Sequence, residues 1–66
     1  MRIDSIKIKL LMAEQEINQS VLAERCGIAR QNISVMLSRG TCSIVKVGKI
    51  AKILGVDASE IIKEDR

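Results

Sequence analysis

The sequence predicts an all-α fold of five short helices, and three observations support that prediction. Apolar residues recur at the three- and four-residue spacing of a helical face through most of the chain. The 66 residues include no proline, 47% are hydrophobic and 29% are charged, which is typical of a compact helical domain. Glycines at positions 27, 40 and 55 follow apolar-periodic segments and can end helices. A chain of this length is expected to form one small domain, residues 1–66.

The first helix is expected to begin after Asp4 or Ser5, since either side chain can cap it, and to run to about Gln15. Its inward face is predicted to consist of Ile8, Leu11 and Met12. Two further apolar residues, Ile6 and Leu10, are surplus to that face. They either cover more of the core or form an exposed apolar patch that a partner can use.

The stretch from Gln19 to Gly40 reads as two short helices separated by Gly27. Asn18 is the expected cap of the second helix, and the third is predicted from about Arg30 to Ser38 without a capping side chain at Ala29. Glycine at position 27 permits a left-handed backbone, and Ala23 is small enough for close helix packing. The pattern therefore predicts a helix-turn-helix.

The fourth helix is expected to start at a Ser43 cap and to run to about Leu54, where Gly55 ends it. Its predicted buried residues are Ile44, Val47, Ile50, Ala51 and Leu54. The spacing Asp57-x-x-Glu60 indicates a capping box and a fifth helix carrying Ile61 and Ile62. One of these two isoleucines is expected to remain uncovered, for which a dimer interface is the economical explanation.

An ordered set of residues resembles the Cro/repressor-type (Xre-like, lambda-repressor-like) helix-turn-helix DNA-binding family. The set is Gln19-x-x-x-Ala23-x-x-x-Gly27-Ile28, Ile33, Met36, Gly40, Ser43, Val47, Lys49-Ile50-Ala51, Leu54-Gly55-Val56 and Glu60-Ile61-Ile62. The resemblance covers about residues 6 to 63 and implies a five-helix domain that binds duplex DNA. Many members have an arginine where Met12 stands and a glutamate where Leu37 stands, forming a buried ion pair. Replacing both partners by apolar residues is compatible with the same fold, so Met12 is predicted to contact Leu37.

The outer face of the third helix is where DNA bases are expected to be read. Arginine can pair with guanine and glutamine with adenine, and apolar side chains can meet a thymine methyl group. The predicted base contacts are Ala29, Arg30, Gln31, Ser34 and Val35. The family resemblance further implies phosphate contacts at Asn18, Gln19, Asn32, Ser38, Arg39 and Thr41. The alternative is that Arg30 and Gln31 are ordinary solvated residues at a helix start.

Composition narrows the possible functions. With no histidine and only two cysteines, the chain offers no zinc ligand set and no Cys-His pair, so we expect neither a metal, a cofactor, a small-molecule substrate nor catalysis. Cys26 is expected to be a buried hydrophobe and Cys42 an unpaired, partly buried thiol, with a redox switch as the alternative for Cys42. Aromatic residues are absent, which disfavours the base stacking used by single-strand binders. We expect a cytoplasmic protein, since no segment suits a bilayer span or signal peptide.

Charge is unevenly distributed along the chain. Residues 18–56 contain six basic side chains and one acid, Glu24, whereas residues 57–66 contain four acids and two bases. This favours a basic face that binds DNA, although an ordinary solvated surface would also fit. The leading hypothesis is a sequence-specific transcriptional regulator of double-stranded DNA that acts as a homodimer. The alternative is an antitoxin or another interaction module that binds a protein partner, with DNA binding secondary.

Overall fold

A computed structural model describes residues 1–63 of the chain. Within that range it has four α-helices: α1 (Ser5–Glu14), α2 (Gln19–Cys26), α3 (Arg30–Arg39) and α4 (Ile44–Leu54). The core is formed by buried side chains from every helix together with residues near both chain ends. They are Ile3, Ile8, Met12, Leu22, Ala23, Cys26, Ile33, Met36, Leu37, Val47, Ile50, Ala51, Leu54 and Ile61.

The helix caps largely follow the sequence predictions. Asp4, rather than Ser5, caps α1 by accepting a 3.0 Å hydrogen bond from the Lys7 amide. Asn18 caps α2 through a 2.9 Å bond from the Val21 amide, and the Ser43 hydroxyl accepts from the Lys46 amide at the start of α4. As predicted, Ala29 leaves α3 without a side-chain cap.

The predicted short fifth helix carrying Ile61 and Ile62 is not confirmed among the described residues. Residues 58–60 instead form a single turn of 3₁₀-helix, Ala58–Glu60. The Asp57 carboxylate accepts a hydrogen bond from the Ser59 amide at its start. After that turn the chain becomes extended, because Ile62 forms an antiparallel bridge with Ile3 and the Lys63 amide donates to the carbonyl of Arg2. Backbone pairing therefore replaces the expected helical hydrogen bonds.

Two burial predictions also need correction. Ile44 was expected in the core, but its side chain is 71% exposed, since it lies at the first position of α4, before the helix reaches the core. Ile61 is fully buried and Ile62 is half-buried against the core, so neither needs a second subunit to cover it. The acidic segment that begins at Asp57 continues into residues 64–66, which lie outside the described residues.

Candidate nucleic-acid interface

The turn between α2 and α3 brings the start of α3 to the surface beside α2. Gly27 has φ +68°, a left-handed conformation that disfavours other residues, and the Ile28 amide donates a 3.0 Å hydrogen bond to the Ala23 carbonyl. The Ala23 side chain is buried, and α2 packs against both α3 and α4. The small side chain and the glycine turn thus fix the position of α3 on α2.

The buried face of α3 determines which of its side chains reach solvent. Ile33, Met36 and Leu37 are buried in the core, as the sequence predicted. The five residues predicted to contact bases are all exposed: Ala29, Arg30, Gln31, Ser34 and Val35. Val35 is 41% exposed although it is apolar, so its side chain is available to a partner. The first two turns of α3 therefore present cationic, amide, hydroxyl and methyl groups together.

A surface depression joins the start of α3 to the start of α2. It is lined by Gln19, Arg30, Gln31 and Ser34. Three of these were predicted to contact bases and Gln19 was predicted to contact phosphate. The lining contains one cation and no carboxylate, which suits an anionic ligand.

A second depression lies where the end of α3 meets the start of α4. Its lining includes four residues that the sequence singled out, Asn32, Val35, Arg39 and Thr41, together with Lys46. Lys46 was not among the predicted site residues. The sequence places Lys46 in the first turn of α4, three residues after the Ser43 cap, but its position beside Arg39 follows only from the packing of α4 against the end of α3.

The remaining predicted phosphate contacts lie outside these two depressions. Asn18 is exposed, but its side-chain oxygen already accepts from the Val21 amide, which leaves its amide hydrogens for a ligand. Ser38 is exposed and lines a third depression, which it shares with Arg39, Asp4 and Lys63. Arg2 also lines that depression, so three cations and one carboxylate border it, and its net positive charge also suits a phosphate.

Both cysteines are free, and burial raises the pKa of each thiol above its ordinary value. Cys26 is buried, as predicted, and Lys49 partly opposes the rise in its pKa. Cys42 is half-buried, and its pKa is held down in part by the Met1 ammonium group and Lys46. Among residues 1–63, no group of three or more histidine, cysteine or acidic side chains is arranged to hold a metal ion. Over the same residues, no helix is long and apolar enough to cross a membrane.

Comparison with known proteins identifies a family and a fold. The profile of a family described as a Cro/C1-type HTH DNA-binding domain matches residues 7–64. No curated protein sequence matches the chain.

Two solved structures of PhpD share the fold: native PhpD with cadmium atoms, and PhpD with cadmium complexed with hydroethylphosphonate. Their TM-scores are 0.83 and 0.82, and each is 20% identical to this chain. The alignment covers 100% of this chain but only 14% of each PhpD chain, so the likeness concerns one small part of those proteins and shows the fold alone.

Proposed function

The chain belongs to the family of Cro/C1-type helix-turn-helix (HTH) DNA-binding domains, and on that premise we propose that it is a sequence-specific, duplex-DNA-binding transcriptional regulator. In this proposal α2 and α3 form the helix-turn-helix, with Gly27 in the turn. The observation that carries it is the depression lined by Gln19, Arg30, Gln31 and Ser34, which has no carboxylate. The proposed base-reading side chains of α3 and the proposed phosphate contact Gln19 thus line the same depression.

Recognition helix α3 enters the major groove with its N-terminal end. Arg30 forms a bidentate contact with a guanine, and Gln31 forms one with an adenine. Ser34 hydrogen-bonds to a base edge, while Val35 and the methyl group of Ala29 contact thymine methyl groups. The support for this assignment is that all five side chains are exposed and that the opposite face of α3 is buried.

The DNA backbone is held on both sides of that helix. Asn18 and Gln19 bind one phosphate group at the start of α2, where main-chain amides also favour an anion. Asn32, Ser38, Arg39 and Thr41 bind the backbone along α3 and just beyond its end. Supporting this second set, Asn32, Arg39 and Thr41 border one depression with Lys46, so two cations lie on that side.

Selection of bound sequences from a random duplex pool tests the proposal. We expect a defined consensus, and the selected duplex should compete at least a thousandfold better than a scrambled duplex at physiological salt, roughly the lower limit for specific binders. Binding without a consensus would reduce the protein to a non-specific DNA binder. Failure to bind any duplex would overturn the proposal.

The protein is further proposed to act as a homodimer on a two-fold symmetric operator. Support comes from Ile44 and Val45, which are 71% and 68% exposed at the start of α4, next to the proposed backbone-binding residues Thr41 and Lys46. Sedimentation of the protein with and without the selected duplex measures the stoichiometry. A palindromic consensus bound by two copies supports this arrangement, and a single copy on an asymmetric consensus contradicts it.

We also propose that the chain has no enzymatic activity and needs no cofactor. The charged and hydrogen-bonding side chains described at the two proposed DNA-binding depressions belong to arginine, lysine, asparagine, glutamine, serine and threonine. These side chains can bind DNA, but they do not form an acid-base pair. Incubation of labelled duplex with the purified protein and divalent cations, followed by gel analysis, should leave the strands intact.

An interaction module is a second candidate function, because Ile6 and Leu10 are 72% and 57% exposed on successive turns of α1. In that case the module, such as an antitoxin, uses this apolar patch to bind a partner protein. Replacing both residues by serine should then release a co-purified partner and leave duplex binding unchanged. A relaxed sequence preference in Arg30→Ala, with no co-purified partner, would favour the regulator instead.

A further inference from the structure

The residues before α1 form the middle of three paired backbone segments. On one side, the Ile3 amide donates a 2.9 Å hydrogen bond to the Gly40 carbonyl, and the Cys42 amide donates a 3.0 Å bond to the Met1 carbonyl. On the other side, the Asp4 amide donates to the Ile61 carbonyl at 2.8 Å and the Lys63 amide donates to the Arg2 carbonyl at 3.0 Å. The Ile3 side chain is only 3% exposed and anchors this segment in the core.

The α3–α4 linker is held by backbone hydrogen bonds and by the half-buried Cys42 side chain, which packs against the core. Gly40 has φ +73° and its amide donates to the Met36 carbonyl, which ends α3. From there only Thr41, Cys42 and Ser43 separate the glycine from α4. Thr41 forms an antiparallel bridge with Arg2. Pairing with the N-terminal residues therefore helps to set the path of the linker.

This linker lies within the proposed backbone-binding surface. Arg39 precedes Gly40, Thr41 is part of the linker, and Lys46 is in the first turn that follows it; all three border one depression. A shift of the linker would change the spacing of these groups relative to one another. Phosphate contacts depend on such spacing, because the phosphates of a duplex are held at fixed intervals.

We propose that the segment Met1–Asp4 is a positioning element for DNA binding: it does not need to touch the duplex, but it holds Arg39, Thr41 and Lys46 in register with the phosphates. This inference rests on the proposed DNA-binding function. It predicts that breaking the pairing on the linker side weakens DNA binding, whereas breaking it on the Ile61–Lys63 side does not.

Two proline variants separate the two sides. Cys42→Pro removes the amide that donates to Met1, and the extended residue Thr41 before it is compatible with a following proline. Lys63→Pro removes the amide that donates to Arg2 on the other side of the same segment. Cys42→Ala and Lys63→Ala are the matched controls. Each control loses the same side chain as its proline variant but keeps the backbone amide that donates the hydrogen bond.

The measurement is duplex affinity across a salt series, at a temperature where circular dichroism shows each variant to be folded. We expect Cys42→Pro to bind all duplexes at least about tenfold more weakly than Cys42→Ala, since a hydrogen bond to a charged group is worth about that factor. Its salt slope should fall by about 0.9 for each lost phosphate contact. Lys63→Pro should match Lys63→Ala in both affinity and slope.

A double-mutant cycle then asks whether the segment acts through Arg39. Adding Arg39→Ala to Cys42→Pro should cost much less than it does in Cys42→Ala, because the contact is already impaired. If Cys42→Pro does not fold, a synthetic chain with an ester in place of the Thr41–Cys42 amide removes the same donor without restricting φ.

Two results would overturn the inference while leaving the proposed function intact. One is equal affinity and equal salt slope for Cys42→Pro, or the ester, and Cys42→Ala. The other is the same loss for both proline variants with an unchanged slope, which indicates a loss of stability alone. A wild-type protein that binds no duplex would instead overturn the proposed function, and this inference with it.

Discussion

The hydroxyl group of Ser5 donates a 2.7 Å hydrogen bond to the main-chain carbonyl oxygen of Leu37. This bond joins the first residue of α1 to the last turn of α3, and its two residues are 32 positions apart in the chain. The Leu37 side chain is buried, and Met12 on the same α1 helix is buried in the same core. A hydrogen bond thus joins the two helices whose Met12 and Leu37 side chains the sequence predicts to be in contact.

The first prediction tests whether Met12 and Leu37 touch. Leu37→Glu should destabilise the protein by about 3 kcal/mol or more, since it buries an unpaired charge. Met12→Arg combined with Leu37→Glu should recover much of that loss if the side chains are adjacent. Urea denaturation of the wild type, both single variants and the double variant gives the coupling free energy. A double variant no more stable than Leu37→Glu would show that the two side chains are not neighbours.

The second prediction concerns the uncapped start of α3. Ala29 has the extended backbone of a capping residue but no side-chain acceptor, unlike Asn18 at the start of α2. Ala29→Ser should therefore stabilise the fold by about 1 kcal/mol, and Asn18→Ala should destabilise it by a similar amount. Thermal unfolding of the two variants checks this. A destabilised Ala29→Ser protein would mean that the hydroxyl cannot reach the amides of the first turn.

Helix positions were predictable because local chemistry determines them. Asn18, Ser43 and the left-handed glycines at 27 and 55 mark helix ends whatever the rest of the chain does. The residues after Asp57 have comparable local signals, but there a non-local interaction prevails: Ile62 pairs with Ile3. Pairing between two residues 59 positions apart cannot be recognised from helical periodicity. The buried position of Ile3 was missed for the same reason.

In the candidate interface, too, the features that local sequence determines were predictable, and those that depend on contacts between helices were not. The exposed side of α3 follows from the periodicity of Ile33, Met36 and Leu37, so Arg30 and Gln31 could be selected from the sequence. Lys46 could not, because its place beside Arg39 depends on how the linker turns α4 back towards the end of α3. Sequence spacing predicts the side of one helix, but contacts between helices require the packed structure.

The third prediction concerns contacts with the DNA backbone. Gln19→Ala and Arg39→Ala should weaken binding to all duplexes alike, because phosphate contacts carry no direct sequence information. Loss of Arg39 should also lower the salt slope by about one unit, whereas loss of the neutral Gln19 should leave the slope nearly unchanged. Titrations of selected and scrambled duplexes at several salt concentrations measure both effects. A changed sequence preference with an unchanged salt slope in Arg39→Ala would assign that residue to base reading.

The last prediction concerns Arg30 and Gln31 in the first turn of α3. Both side chains are exposed and line the same depression, and they carry the donor and acceptor groups that distinguish guanine and adenine. Each bidentate contact should discriminate against the wrong base by about 1 to 3 kcal/mol. Arg30→Ala and Gln31→Ala should therefore each relax the preference at a different position of a half-site and leave affinity for scrambled duplex mostly intact. Competition titrations at fixed salt, using single-base variants of the selected duplex, measure the preference at every position. The control is Arg25→Ala, because Arg25 is an exposed cation that does not line the depression. An equal loss of affinity for every single-base variant of the duplex would identify both residues as phosphate contacts. No loss of affinity in either Arg30→Ala or Gln31→Ala would favour the interaction module, since the exposed face of α3 would then have no part in DNA binding.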